Sequence, residues 1–136
     1  MLLADVGNYL AGSGLGLTLG VNLFQVPFPA ASQDAAVCIV ETPGEEDEFG
    51  SGPSLDPPAL ERPRFQVIAR DDPRNALACR TLIEDVRQKL NNLGPVTLGT
   101  TVYHHVKATT PVFYLGPDQN ERWRWVTNFE AMKGNG

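Results

Sequence analysis

The first 61 residues contain no lysine and no arginine, whereas nine of the sixteen acids lie there. That part carries −9, and the remaining 75 residues, with eleven basic side chains against seven acids, carry +4 if histidine is neutral. Charge divided in this way suits oriented contacts between copies. Opposed patches favour head-to-tail association, which closes into a ring or runs on as a filament according to the rotation. The overall balance of −5, with a pI near 4.9, argues against wrapping or reading nucleic acid, which needs a basic face. An acidic wall can still let DNA slide past.

Other scarcities narrow the classes further. Two cysteines, Cys38 and Cys79, each sit in an apolar segment and read as reduced core residues before a disulfide or reactive thiol. No apolar run approaches the roughly 20 residues of a membrane helix. The start, Met1 to Asp5, lacks the basic region of a secretory signal, so the expectation is a soluble, intracellular chain with no membrane partner. The four serines, Ser13, Ser32, Ser51 and Ser54, all lie in Gly/Pro-rich or loop contexts without a nucleophile elbow. At 136 residues and 42% hydrophobic, the chain fits a single domain, 1–136, around one core.

What is present reads as α+β, mostly antiparallel β-sheet packed against two α-helices. Leu2, Leu3, Val6, Tyr9 and Leu10 recur at helical spacing and predict a short amphipathic helix ended by Gly12, Gly14 and Gly16. Val21 to Val26 predicts a short strand stopped by Pro27 and Pro29. Ala35 to Glu41, continuously apolar for most of its length, predicts a strand covered on both faces. From Thr42 to Pro63 the composition turns to Pro, Gly, Ser and acids, a long acidic loop (42–63) unable to bury enough apolar surface to order itself. Phe65, Val67 and Ala69 then alternate with Gln66, Ile68 and Arg70 as a strand. Asp72-Pro73 reads as the cap and first position of a helix, whose stripe is Cys79, Leu82, Ile83, Val86, Leu90 and Leu93, with Gly94 as the stop. Strands are expected at Val96 to Leu98, Thr101 to about Thr109, Val112 to Leu115 and Arg122 to Met132, the last pair joined by a hairpin loop over Gly116 to Asn120.

No set of residues forms a convincing catalytic site. His104 and His105 are adjacent on a strand, so they point to opposite faces and cannot share a metal; an enzyme using one of them with a loop acid is the rival reading from another class. Glu45, Glu46, Asp47 and Glu48 lack the alternating ligands and turn glycine of a calcium loop and read as solvated charge, with a partner contact or channel wall as the alternative. Gly14, Gly16 and Gly20 follow a helix where a dinucleotide fold needs a strand, so they read as turns. Asp71-Asp72 marks the helix start, and Glu84-Asp85 lies on the helix's polar side. Arg122-Trp123-Arg124-Trp125 resembles a nucleic-acid platform, but strand alternation puts the tryptophans on one face with Thr127, Phe129 and Ala131, and the arginines on the other with Val126, Asn128 and Glu130. Core-facing tryptophans are the plain reading, and an oligomer interface is the functional one. No metal or cofactor is expected.

In their order, several segments resemble the tail terminator and minor capsid proteins of long-tailed bacteriophages. They are the opening Leu2-Leu3-Ala4-Asp5-Val6-Gly7-Asn8-Tyr9-Leu10, Asn22-Leu23-Phe24, the Phe65-Gln66-Val67 strand before a long helix, and Pro111-Val112-Phe113-Tyr114-Leu115-Gly116-Pro117-Asp118-Gln119-Asn120-Glu121-Arg122 followed by Asn128-Phe129-Glu130. The resemblance implies an α+β subunit of a hexameric ring at the head-proximal end of the tail tube, a structural protein and not an enzyme. It would act at the virion's head–tail junction after assembly in the host cytoplasm. Implied partners are other copies, the major tail tube protein and a head-completion or stopper protein, with the tape measure protein as a further candidate and genomic DNA passing through the lumen without specific binding. A head-completion or stopper ring is the nearest rival. The loop around Glu45, Glu46, Asp47, Glu48 and Phe49 is expected at the lumen or a partner, and Arg122, Trp123 and Arg124 at a subunit interface.

Overall fold

The computed structural model describes residues 2–28, 34–42 and 60–134. Two helices, α1 (Leu2–Ala11) and α2 (Ala76–Leu90), accompany eight strands: β1 (Leu23–Phe24), β2 (Ala36–Thr42), β3 (Leu60–Glu61), β4 (Arg64–Asp71), β5 (Val96–Leu98), β6 (Thr101–Ala108), β7 (Phe113–Pro117) and β8 (Trp123–Gly134). The main path across the sheet is β1-β2-β4-β8-β6-β5. Among these strands β1 and β2 pair in parallel and the other pairs are antiparallel. β8 organises the rest, pairing with β4 and β3 on one edge and with β7 and β6 on the other.

Period-two alternation gives the sheet two different faces. Val37, Ile39, Phe65, Val67, Phe129 and Ala131 are buried in one core cluster with Leu2, Val6 and Leu10 of α1 and Cys79, Ile83, Val86 and Leu90 of α2. Phe65 and Phe129, directly opposite across β4 and β8, stack with ring centroids 5.1 Å apart. The opposite face carries cross-strand rows. Thr42, Arg64 and Glu130 make one, with Arg64 Nε 3.0 Å from a Glu130 oxygen; Val40, Gln66 and Asn128 make the next, joined by a Gln66–Asn128 hydrogen bond of 2.9 Å. Cys38, Ile68, Val126 and Phe113 form an apolar row between these and the charged row Ala36, Arg70, Arg124. Val126, on the predicted polar face, is consequently buried.

One polar link lies inside the core. The fully buried Tyr103 donates its hydroxyl to Asp5 Oδ2 at 2.6 Å, tying α1 to β6 across 98 residues of sequence. Burial first, and then the Asp5 carboxylate, push the Tyr103 phenol far up, so it stays a donor. Gly99 makes room for this pair: at φ +61° a Cβ there would lie 2.7 Å from Asp5 Oδ1.

Several boundaries differ from the sequence expectations. β1 spans two residues, not Val21 to Val26, because Thr18 O accepts the N–H groups of Val21, Asn22 and Leu23 in a turn whose Asn22 side chain binds Thr18 N and Gly16 O. Asp72 accepts from Arg74 N, as a cap should, but it caps a 3-10 turn, Pro73–Asn75, that leads into α2. The helix ends at Leu90, short of Leu93 and Gly94, because Asn92 turns left-handed at φ 60° and Leu93 pairs with Val106 of the sheet. The segment read as a loop over 42–63 begins and ends in pairing: Thr42 belongs to β2, and Leu60–Glu61 pairs with Lys133 and Gly134. Gly116 and Pro117, expected in the hairpin loop, are strand residues opposite Arg124 and Trp123. Glu45, Glu46, Asp47, Glu48 and Phe49 lie outside the described residues.

Two measurements check this packing. Phe129→Ala should cost about 3–5 kcal/mol in denaturant unfolding, since it removes a fully buried ring from the middle of the longest strand. Cys38 and Cys79 are buried, and desolvation pushes each thiol up to about 12. Both should resist a thiol-exchange reagent in the native chain and react once denaturant unfolds it.

Candidate assembly surface

The hairpin of β7 and β8 gathers the residues singled out near the end of the sequence. Its turn is built on Asp118. One carboxylate oxygen accepts the backbone N–H of Asn120 at 2.8 Å and of Arg122 at 2.9 Å, and the other accepts Arg122 Nε at 2.8 Å. Burial acts to raise the Asp118 carboxyl, but those backbone donors and the guanidinium outweigh it and hold the group below the usual carboxylate range. Arg122 also reaches Asp34 at 3.5 Å, and its side chain is only 14% exposed. Arg122, expected at a subunit interface, is thus bound by acids of its own chain.

Arg124 is held differently. Its Nε and Nη2 donate to the carbonyls of Gly116 and Pro117, each at 3.2 Å. Arg70 sits directly opposite it on β4, buried, with its guanidinium 4.0 Å from the centroid of Phe28 and its Nε donating to Asp34 O at 3.3 Å. Burial, and next the Arg122 charge, lower the Arg70 pKa from its ordinary value. These three arginines, with Phe28, Asp118, Gln119 and Asn120, line a hollow of about 320 Å³. A second hollow of about 410 Å³ lies over Arg64, Thr42, Thr109, Asn128 and Phe129, and its arginine is already paired with Glu130.

On the other side of the hairpin lies an aromatic cluster. Tyr114 lies 5.2 Å from Trp123 and 5.3 Å from Trp125, ring centroid to ring centroid, and the Arg80 guanidinium of α2 covers Trp125 at 5.3 Å. Trp125 is part of the packed interior, whereas Trp123 is 37% exposed. Phe113, Tyr114 and Leu115 are exposed too. Among the described residues β7 pairs only with β8, so its outer edge is open. An unpaired strand edge with exposed aromatic side chains is a surface suited to another polypeptide. Its residue types were legible, but Phe113, Tyr114 and Leu115 were not singled out as surface, because an apolar strand reads as core until its missing neighbour is known.

The histidines are not gathered into a site. His104 is exposed, and His105 Nε2 meets Asn92 Oδ1 at 3.4 Å. Among the described residues no group of three or more His, Cys, Asp or Glu side chains is placed to hold a metal ion, and no helix is long and apolar enough to cross a membrane.

The turn chemistry carries a pH signature. A carboxyl depressed in the folded state stabilises it above the unfolded pKa, and that contribution is lost as pH falls through the folded value. Asp118→Asn should therefore lower the melting temperature at neutral pH, and the gap to the natural chain should close below about pH 4. A gap constant down to strong acid would remove the carboxylate from its assigned role.

No curated protein matches the chain. Among solved structures, a chain from the virion of a native gene transfer agent particle superimposes with a TM-score of 0.69 at 15% identity, covering 98% of this chain and 95% of that one. A second solved chain gives a TM-score of 0.50 at 14% identity over 99% of this chain and 91% of its own length. These likenesses establish a shared fold. The family model described as bacteriophage tail terminator protein matches residues 5–133, from Asp5 in α1 to Lys133 in β8, so the chain belongs to the bacteriophage tail terminator family.

Proposed function

We propose that the protein is a ring-forming structural component, hexameric as the family resemblance implies, that caps the head-proximal end of a phage tail tube. There it stops tube polymerisation and offers a docking face to the head. The observation that carries this reading is the family match over nearly the whole described fold. The open β7 edge adds a physical reason for assembly, since an unpaired strand edge can take up another polypeptide and a heterologous ring joins one surface of each subunit to a different surface of the next. The segregation of −9 and +4 along the chain supplies the orientation. Likeness to a chain of a gene transfer agent virion supports a place in a tailed particle.

In this reading Trp123, with Phe113, Tyr114 and Leu115, lies at the subunit interface. The acidic run Glu45, Glu46, Asp47 and Glu48, with Phe49, faces the lumen or an adjacent ring, where negative charge lets DNA pass without gripping it. The partners are further copies, the tube protein and a head-completion protein, with the tape measure protein as a candidate from inside the tube. A head-completion ring would use the same physics at another position.

Deleting the gene from the particle that encodes it should yield overlong, headless tubes in negative-stain electron microscopy. Normal-length tails beside unjoined heads would assign the protein to the neck instead. Intact, infectious particles would overturn both.

A further inference from the structure

We propose that the β7 edge of one copy docks on the stretch from Val21 to Val26 of the next, setting the two sheets end to end. This contact rests on the reading that copies form a ring, and it names both of the surfaces that meet. Register puts those surfaces at opposite ends of the sheet. Leu23, Val37, Ala69, Trp125 and Tyr114 are partners in one cross-strand row, and Phe24, Cys38, Ile68, Val126 and Phe113 in its neighbour. Both rows begin at β1 and finish at β7. Four interstrand steps, about 19 Å, separate the two ends, so β7 cannot meet the β1 end of its own chain. A second copy set in line with the first brings them together, and a contact between unlike surfaces is the kind that a ring repeats.

The two ends match in chemistry. Val21 and Val26 are 54% and 56% exposed, and Phe113, Tyr114, Leu115 and Trp123 are exposed at the other end. These are six of the eight large apolar side chains exposed among the described residues. Charge is missing from the same places, since residues 6–33 and 108–117 contain no Asp, Glu, Lys or Arg. Loss of charge with enrichment of aromatic side chains marks the centre of a protein interface. A charged partner would bury its charge unpaired against either surface, whereas each end offers the other an apolar face that needs no ion desolvated.

Backbone hydrogen bonding makes this a contact of side chains more than of ladders. At β1 the Leu23 N–H is given to Thr18 O, and the Leu23 carbonyl accepts from Gly20 N. At β7 the carbonyls of Gly116 and Pro117 accept from Arg124. Neither end therefore presents a long free ladder, which guards against open-ended growth of the sheet. The open part of β7 is the short stretch Phe113–Leu115, where large side chains can cover the two valines.

The test places a benzoylphenylalanine photo-crosslinker at position 115 of the full-length chain, where Leu115 is exposed. Isotopically heavy and light chains are mixed, taken to high protein concentration alone or with tube protein, irradiated, and the products mapped by mass spectrometry. The expected product is a heavy–light link from position 115 to a residue within 18–28. A charge exchange probes the same contact. Leu115→Glu and Val26→Lys should each raise the concentration for half-assembly about tenfold, and the chain carrying both should recover most of that loss. Melting curves check that each variant folds, and Phe113→Glu replaces Leu115→Glu if that variant does not. Heavy–light links from position 115 to residues 113–115 would make the contact two-fold and overturn the proposal. Assemblies linked at position 115 only to tube protein, or unlinked and indifferent to the charges, would overturn it and leave the ring intact. Failure to associate at any concentration, alone or with tube protein, would overturn the ring reading and this contact with it.

Discussion

Everything in this fold depends on β8 being paired along both edges. A strand of twelve residues has room for two neighbours on each side, and β8 takes four: β4 and β3 on one edge, β7 and β6 on the other. Its backbone polar groups are thereby largely satisfied in the ladder, and both of its faces are defined by alternation. The core, the arginine hollow and the exposed aromatic strand are three consequences of one strand's position. The helices select one face through Phe129 and Ala131, while the other face inherits Arg124, Val126, Asn128 and Glu130.

The two faces do different physical work. On the helix side the sheet removes apolar surface from water and gives the subunit its stability. The opposite side is a set of cross-strand rows, polar and apolar in turn, in which Arg64 with Glu130 and Gln66 with Asn128 are complementary. In a further row Arg70 faces Arg124, and backbone carbonyls hold both, Asp34 O accepting from Arg70 and Gly116 O and Pro117 O from Arg124.

How much of this was readable in the sequence depended on range. Periodicity within one element exposed the α2 stripe of Cys79, Ile83, Val86 and Leu90, and the two faces of β8, because side-chain direction there is set locally. The hairpin turn announced itself through Asp118, whose carboxylate accepts the backbone N–H groups of Asn120 and Arg122. Local composition misled at Leu60–Glu61, where β3 pairs with β8 at the edge of an acidic, proline-rich stretch. Nothing local shows that Arg70 meets Arg124, or that Asp5 meets Tyr103, since those contacts are created by register and topology. Arg122 and Arg124 look equivalent as text; the fold makes them different, one bound by the carboxylates of Asp118 and Asp34 and the other by the carbonyls of Gly116 and Pro117.

The pairing of β4 with β8 also shapes the route to the native state. Arg64 and Glu130, neighbours in the finished sheet, are 66 positions apart in the chain. Closing that distance costs entropy before the contact returns any stabilisation, and most of the sheet needs contacts of this kind. A sheet built from such distant pairs has the high contact order that goes with slow folding. Until those pairs form the chain displays unpaired hydrophobic strands, so a polypeptide whose mature form retains an open strand edge must also pass through a stage in which nearly every strand edge is open.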